Sequence, residues 1–252
     1  MSMTVRGLRE RTIDLRVRWV RRFARFVEIG PWDVTDREIM VWSASHDWAT
    51  DTRRSAHASV RAFYEWACTS GYVERVPVIP MIRASAPMPH PASEAAITDA
   101  RSIADSRVSL MVRLASEAGL RRGEVARIHS RDLERDLAGW SLVVHGKGGK
   151  ERRIPLSDSL ADALRQTRAG FVFPGNDHGH LSPDWVGHLV GAVLPQGVTM
   201  HALRHRFASR AYQVTGDLLG VQAALGHASP DTTLRYVALP NDALRRVMQA
   251  AA

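Results

Sequence analysis

The sequence is poor in residues that cross-link a chain or anchor it in a membrane. It has one cysteine, Cys68, in 252 residues. A lone cysteine forms no internal disulfide and no cysteine-only metal site, which excludes disulfide-stapled secreted scaffolds. There is no run of about 18 apolar residues, and residues 1–11 are polar without the apolar core of a signal peptide. We therefore expect a cytoplasmic protein with no membrane partner.

Lysine is nearly as scarce, since Lys147 and Lys150 stand against 32 arginines. The formal net charge of +8 favours a polyanion partner, because guanidinium groups bind phosphates bidentately and release counterions from nucleic acid. Genome base composition is the alternative explanation for the preference for arginine. A content of 45% hydrophobic and 24% charged residues is typical of globular domains and excludes disorder and collagen-like structure. The length predicts one or two domains.

Prolines divide the chain. Five of the twelve prolines fall between residues 77 and 91, where they rule out a continuous helix and predict an extended linker. We therefore expect a helical domain over 1–76, a linker over 77–91 and a second domain over 92–252. Each side of residue 88/89 carries an excess of four basic residues, so both domains could face one polyanion.

Apolar residues in the first domain recur at helical spacing. The first stripe consists of Leu15, Trp19, Phe23 and Phe26 or Val27. Thr35 and Glu38 have the spacing of a capping box, and a third helix is expected from Thr50 or Asp51 to Ser70. Three arginines project from this third helix as candidate DNA contacts, with a solvated helical face as the alternative: Arg53, Arg54 and Arg61.

The second domain has a mixed pattern. Helices are predicted over about 93–105, 107–118 and 122–129, followed by strand, glycine turn and strand over 140–145, 146–150 and 151–156. Further helix starts are expected at Ser157, Ser182, Thr199 and Asp217. The fold class is therefore mainly α with a small β-sheet (α+β).

Three short motifs contain residues suited to chemistry. In H-A-L-R-H (201–205), two histidines share a helical face, but Ala202 stands where a zinc protease needs glutamate, and a polar surface helix is the alternative. In A-G-L-R-R-G-E-V (118–125), an arginine in a turn between helices can hold an anion, and a routine helical corner is the alternative. L-G-H-A-S-P-D-T-T-L-R-Y (225–236) is also compatible with a DNA-reading helix–turn–helix or with plain packing.

Taken together, the order of these residues resembles that of the tyrosine recombinase (phage integrase) family. The residues that carry the resemblance are Arg121, Lys147, His201, Arg204, His227 and Tyr236. The resemblance covers the chain from about residue 5. It implies a helical, SAM-like core-binding domain and a mixed catalytic domain of the DNA breaking-rejoining type. His129 stands where relatives often have an aromatic residue, which leaves the catalytic assignment untouched.

The resemblance also assigns roles. Tyr236 would attack the scissile phosphate to form a 3′-phosphotyrosyl link, Arg121 and Arg204 would hold the phosphate, and His227 would hydrogen-bond it. His201 would act as general base and Lys147 as general acid, since a lysine near other cations releases its proton readily. Glu124 and His205 would support the two arginines. No metal and no cofactor is required.

The resemblance finally implies partners. We expect double-stranded core attachment sites, a homotetramer on DNA and an accessory directionality factor, in a bacterial host cell. Because the helices begin almost at once, a compact phage or mobile-element integrase without an arm-binding domain is expected. A host-type dimer-resolving recombinase, a transposase and a non-catalytic helix–turn–helix regulator are the alternatives. Lys150 and Arg152 are candidate DNA contacts, Lys150 alternatively a hairpin surface residue, and a helix over 240–249 would dock on a neighbour or on its own domain.

Overall fold

The computed structural model describes residues 7–8, 10–83, 90–146, 149–226 and 249. The chain divides into two compact units, Met1–Ala86 and Pro87–Ala252. Three of the expected catalytic residues, Lys147, His227 and Tyr236, lie outside the described residues, as does most of the predicted C-terminal helix.

Helices make up the N-terminal unit. They are α1 (Glu10–Val27), α2 (Asp36–Ala44) and α3 (Thr50–Thr69). The predicted capping box at the start of α2 is confirmed, since the backbone N–H of Thr35 donates to Oε2 of Glu38 at 2.8 Å. This box satisfies amide groups that the first turn of a helix leaves without partners.

An aromatic core holds these helices together. The ring of Phe23 meets Trp42 edge-on at 4.9 Å and Tyr64 edge-on at 6.4 Å, and all three side chains are buried. Leu15 and Phe26, which the apolar spacing placed on the same face as Phe23, are 42% and 38% exposed. The buried stripe of α1 is therefore narrower than its apolar pattern.

The first residues of the proline-rich segment pack on the N-terminal unit. The backbone N–H of Val78 donates to Asp36 at 2.7 Å, and the Pro80 carbonyl lies 3.0 Å from Nδ1 of the buried His57. Arg61 donates to the Ile79 carbonyl at 2.5 Å, and the Ile79 side chain is buried among the helices. Residues 78–80 thus belong to the N-terminal unit, although the proline pattern assigned them to a linker.

The C-terminal unit is mainly helical with one small sheet. Its helices are α4 (Glu94–Ile103), α5 (Ser106–Glu117), α6 (Arg122–Ala126), α7 (Asp158–Arg165), α8 (Pro183–Val193), α9 (Met200–Thr215) and α10 (Leu218–Leu225). Its strands are β1 (Leu133–Asp136), β2 (Gly139–His145), β3 (Glu151–Leu156) and β4 (Pro174–Asp177). Ser157, Ser182, Thr199 and Asp217 each stand at the N-cap position of a helix, as predicted, and the side chains of Ser182 and Asp217 accept a hydrogen bond from the first turn. The predicted α+β class is confirmed.

The sheet has the antiparallel order β1-β2-β3. The predicted strand, turn and strand are confirmed as β2 and β3, which place Leu142 opposite Ile154 on the buried face. Met111 and Leu114 of helix α5 belong to the same hydrophobic core as these two residues, together with Leu203 of α9. Among the described residues, no helix has the length and apolar character needed to cross a membrane.

Candidate active site

A tight corner between α5 and α6 places the first candidate residue. Gly119 has a φ of +65°, a left-handed conformation that turns the chain directly after α5. Arg121 follows at the N-cap of α6, and Glu124 lies in the first turn of that helix. Oε1 of Glu124 accepts from Nη1 of Arg121 at 2.8 Å, and Oε2 accepts from its backbone N–H at 2.9 Å. The corner therefore orients Arg121 while 42% of its side chain stays exposed.

Glu124 is the centre of a cluster of positive charge. Its side chain is 4% exposed and contacts Arg121, Arg152 and, at 3.7 Å, Arg204. Burial acts to raise the pKa of Glu124. The hydrogen bonds and charge of Arg152, followed by the Arg121 amide and Arg204, outweigh burial and lower that pKa to about 2. Three guanidinium groups thus surround one ionised carboxylate, and the excess positive charge suits an anionic substrate.

Arg204 reaches this cluster from α9. Its side chain is 1% exposed, and its guanidinium donates to the carbonyls of Gly119 and Leu225, the latter at 2.6 Å. The Leu225 carbonyl also accepts from Arg121 at 3.4 Å. The end of α10, two residues before His227, therefore lies against both arginines.

His201 lies one turn before Arg204 on α9. Desolvation lowers the pKa of His201, and the positive charges of Arg204 and then Arg121 lower it further. A lowered pKa favours the neutral imidazole near pH 7, the form that can accept a proton. The His205 ring packs edge-on against His201, with ring centroids 4.6 Å apart. The structure therefore brings together five of the predicted site residues: Arg121, Glu124, His201, Arg204 and His205.

Comparison with known proteins identifies the family. The model described as "Phage integrase family" matches residues 92–242, and the one described as "Phage integrase, N-terminal SAM-like domain" matches residues 1–73. The chain belongs to the phage integrase family. Together the two matched regions take in both structural units.

Relatives of this integrase-family chain are tyrosine recombinases. It is 32% identical over 226 residues to tyrosine recombinase XerC of Rhodospirillum centenum, a match that covers 79% of this chain and 65% of that protein. The chain thus spans slightly less than two thirds of that relative.

Two solved structures are similar over most of their length. The integrase from mycobacterium phage Brujita is 25% identical, with a TM-score of 0.52 and coverage of 95% of this chain and 92% of that one. A lambda integrase dimer bound to a COC′ core site has a TM-score of 0.76 at 18% identity, with coverage of 93% and 90%, and this second likeness shows the fold alone.

The predicted DNA contacts on α3 have different surroundings. Arg53 donates to the His46 carbonyl at 3.0 Å, and Arg61 is bonded to the Ile79 carbonyl. Arg54 is half exposed, with Asp51 at 3.5 Å. DNA contact by these residues stays a prediction.

Helix α1 carries exposed arginines that belong to none of the sequence motifs. Residues at spacings of three and four share one helical face, and α1 exposes such a set: Arg18, Arg21, Arg22 and Arg25.

The two candidate DNA contacts in the hairpin, Lys150 and Arg152, also have different surroundings. Lys150 is exposed at the turn, where its carbonyl accepts from Gly146 at 2.7 Å. Arg152 donates to both carboxylate oxygens of Glu124, and its side chain is 12% exposed; DNA contact by Lys150 and Arg152 stays a prediction. The alternation of side chains along a strand could have predicted that Arg152 faces the protein, because Arg152 lies two residues before the buried Ile154 and shares its face.

Proposed function

We propose that this chain is a site-specific DNA recombinase that cleaves and rejoins strands through a 3′-phosphotyrosyl intermediate. The observation that carries the proposal is the convergence of Arg121 and Arg204 on Glu124 and on the Leu225 carbonyl. Two preoriented guanidinium groups in a largely buried site stabilise the negative charge that develops on a phosphodiester during transfer. Membership of the phage integrase family supports this reading.

Proton transfer in this scheme uses His201, Lys147 and Tyr236. The neutral imidazole of His201 accepts the proton of the attacking phenol, and the ammonium of Lys147 protonates the departing 5′-oxygen. The bond from phosphorus to the 5′-oxygen breaks as the bond from phosphorus to the Tyr236 oxygen forms. The ester formed retains the energy of the original phosphodiester, so rejoining needs no ATP.

The partner is double-stranded DNA, to which both units bind and on which a homotetramer acts. The lambda integrase of known structure is a dimer bound to a core site, which supports a DNA-bound assembly of several copies. An accessory directionality factor would decide between integration and excision.

The nucleophile is tested by covalent trapping. Labelled duplexes that cover the DNA flanking the gene are incubated with the protein, and denaturing gels are searched for a protein–DNA adduct. Changing Tyr236→Phe removes the attacking oxygen and should abolish the adduct, while gel-shift binding stays within about twofold.

Tyr212→Phe is the matched control, because it removes a hydroxyl from a tyrosine on α9 that packs in a small core beside α10. This variant should still form the adduct. If the Tyr236→Phe variant also forms it, Tyr236 is not the nucleophile. If the unaltered protein binds a flanking site without forming any adduct, the proposal fails in favour of a non-catalytic regulator.

Two biological roles fit this chemistry. The integrase of a phage or mobile element is the first, supported by likeness to the phage Brujita integrase. Resolution of host chromosome dimers is the second, favoured by the relatives named XerC. A plasmid assay separates them: an integrase joins two different sites, one from the flank of the gene, whereas a dimer-resolving enzyme recombines two identical chromosomal sites.

A further inference from the structure

Arg152 has three side-chain hydrogen bonds within the C-terminal unit. Nη1 and Nη2 donate to Oε1 and Oε2 of Glu124 at 3.0 and 2.8 Å, and Nε donates to the Ala224 carbonyl at 2.8 Å. This arrangement links strand β3 to the first turn of α6 and the end of α10. A paired fork between guanidinium and carboxylate is the strong and geometrically specific form of this interaction.

The paired hydrogen bonds from Arg152 limit how many hydrogen bonds Glu124 can accept from the side chain of Arg121. Within the part of the chain that the structure describes, the side-chain hydrogen bonds of Arg121 all start from Nη1, to Oε1 of Glu124 and to the Leu225 carbonyl. Because Arg152 occupies both carboxylate oxygens, Arg121 is held at one corner of its guanidinium rather than along an edge. An edge that is not used by Glu124 can bind two oxygens of a phosphate.

We propose that Arg152 is a positioning residue that occupies the Glu124 carboxylate and thereby keeps an edge of Arg121 directed to the substrate anion. The inference rests on the proposed function, in which Arg121 holds the scissile phosphate. Loss of the fork would release Glu124 to form its own fork with Arg121, and that fork would compete with phosphate for the same guanidinium edge.

Lysine is the informative replacement at position 152. Arg152→Lys keeps the charge on β3 but offers a point donor, which cannot hold both oxygens of a carboxylate in one plane. Arg153→Lys is the matched control on the same strand. Arg153 lies on the opposite face with 72% of its side chain exposed, and its partner is Glu134 of β1 at 3.1 Å.

The first test separates positioning from binding. Single-turnover cleavage of a core-site duplex is compared with gel-shift affinity for the same duplex. We expect Arg152→Lys to slow cleavage about tenfold or more with the dissociation constant within about twofold, as is typical for loss of a residue that orients a reacting group. Arg153→Lys should match the unaltered protein in both. Unchanged cleavage in Arg152→Lys, or an equal loss of affinity, would overturn the proposal.

A double-mutant cycle tests whether Arg152 acts through Glu124. In a Glu124→Gln background the competing carboxylate is gone, so adding Arg152→Lys should slow cleavage by less than about twofold. If the two losses multiply instead, Arg152 acts independently of Glu124 and the inference is wrong.

A third measurement needs no cleavage and so distinguishes this inference from the proposed function. Inorganic sulfate is the probe, and the readout is the thermal midpoint in sodium sulfate against sodium chloride of equal ionic strength. The sulfate shift should fall in Arg152→Lys and persist in Arg153→Lys, whose comparison cancels the general stabilising effect of sulfate. Equal sulfate shifts in the two variants would contradict the inference even if no DNA substrate were cleaved. If the shift is smaller in Arg152→Lys, as expected, but no covalent adduct with DNA forms, the result counts against the recombinase activity alone.

Discussion

Gly119 links local backbone geometry to the position of a catalytic candidate. Its φ of +65° favours glycine, and its carbonyl accepts from the buried guanidinium of Arg204. A Cβ at this position would lie 2.5 Å from a ring carbon of Phe207, closer than side chains can approach without displacement. The residue that turns the chain between α5 and α6 therefore also fixes an acceptor in the candidate site.

Replacing Gly119 tests this double role. Gly119→Ala should lower the free energy of unfolding by about 3 kcal/mol, because backbone strain adds to overpacking against Phe207. Gly216→Ala is the matched control: it has a φ of +66° with no atom within 4 Å of the added Cβ, and should cost about 1 kcal/mol. Urea unfolding measures both. Equal losses would show that contact with Phe207 contributes nothing.

The role of Lys147 as general acid can be tested by changing the leaving group of the DNA substrate. Lys147→Arg keeps the charge but removes a readily released proton, and should slow cleavage about 100-fold. A substrate with sulfur at the 5′-bridging position should restore the rate, because a thiolate leaves without protonation. Lys150→Arg, in the same glycine turn, should behave like the unaltered protein on both substrates. A defect in Lys147→Arg that sulfur leaves unchanged would refute the general-acid role.

Most helices and the hairpin could be predicted because their signals are local. Serine, threonine and aspartate caps stand next to the helices they start, and the glycine turn stands between β2 and β3. The sequence does not predict strand β1, because L-E-R-D has one half-buried apolar residue and no alternation of buried and exposed side chains. Helix α6 ends at Ala126, three residues earlier than predicted. His129, the last residue of the predicted helix, instead caps a short 3-10 turn over Ser130–Asp132.

The turn end of the β2–β3 hairpin contains a pH-sensitive contact. Nε2 of His145 lies 3.0 Å from Asp132, and Nδ1 lies 2.9 Å from Glu151. Since ionised carboxylates only accept hydrogen bonds, both ring nitrogens must carry protons for both contacts to form. The hydrogen bond to Asp132 is the main cause of the raised pKa of His145. Partial burial lowers this pKa, but the negative charge of Asp132 and the contact with Glu151 raise it further.

The raised pKa predicts how this contact depends on pH. A raised folded-state pKa stabilises the fold fully below the unfolded value near 6.5, and this stabilisation is lost as pH rises through the folded value. The urea midpoint of the unaltered protein should therefore exceed that of His145→Asn at pH 5.5, and the difference should shrink by pH 8.5. His188→Asn, an exposed histidine stacked on Trp185, should give no such change. A difference independent of pH would rule out the doubly protonated contact.

Among the described residues, each of the two units has a main hydrophobic core of its own, and the N-terminal core extends past residue 76 into the proline-rich segment. The N-terminal core includes Ile79, which is 7% exposed, while the large C-terminal core begins at Ala92. Proline identifies where a helix cannot continue, but it does not reveal which unit an extended segment packs against. Here Asp36 and His57 bind that segment to the N-terminal unit.

The boundary can be tested with fragments of the N-terminal unit. A fragment of residues 1–82 should be about 2 kcal/mol more stable than one of residues 1–76, because it buries Ile79 and keeps the bond from Val78 to Asp36. Ile79→Ser in the longer fragment should remove most of that gain, and Val78→Ser, at an exposed side chain, should not. Equal urea midpoints for the two fragments would place the boundary at 76.

By itself, the sequence determined the helix starts, the hairpin and the order of the catalytic candidates, because caps, turns and motifs act over a few neighbouring residues. Only the tertiary structure decided that Glu124 binds arginines from its own corner, from β3 and from α9. That arrangement depends on packing between segments up to 80 residues apart, and no local pattern records it. The scarce lysines and abundant arginines pointed to an anion, and the fold determined which arginines gather around Glu124: Arg121, Arg152 and Arg204.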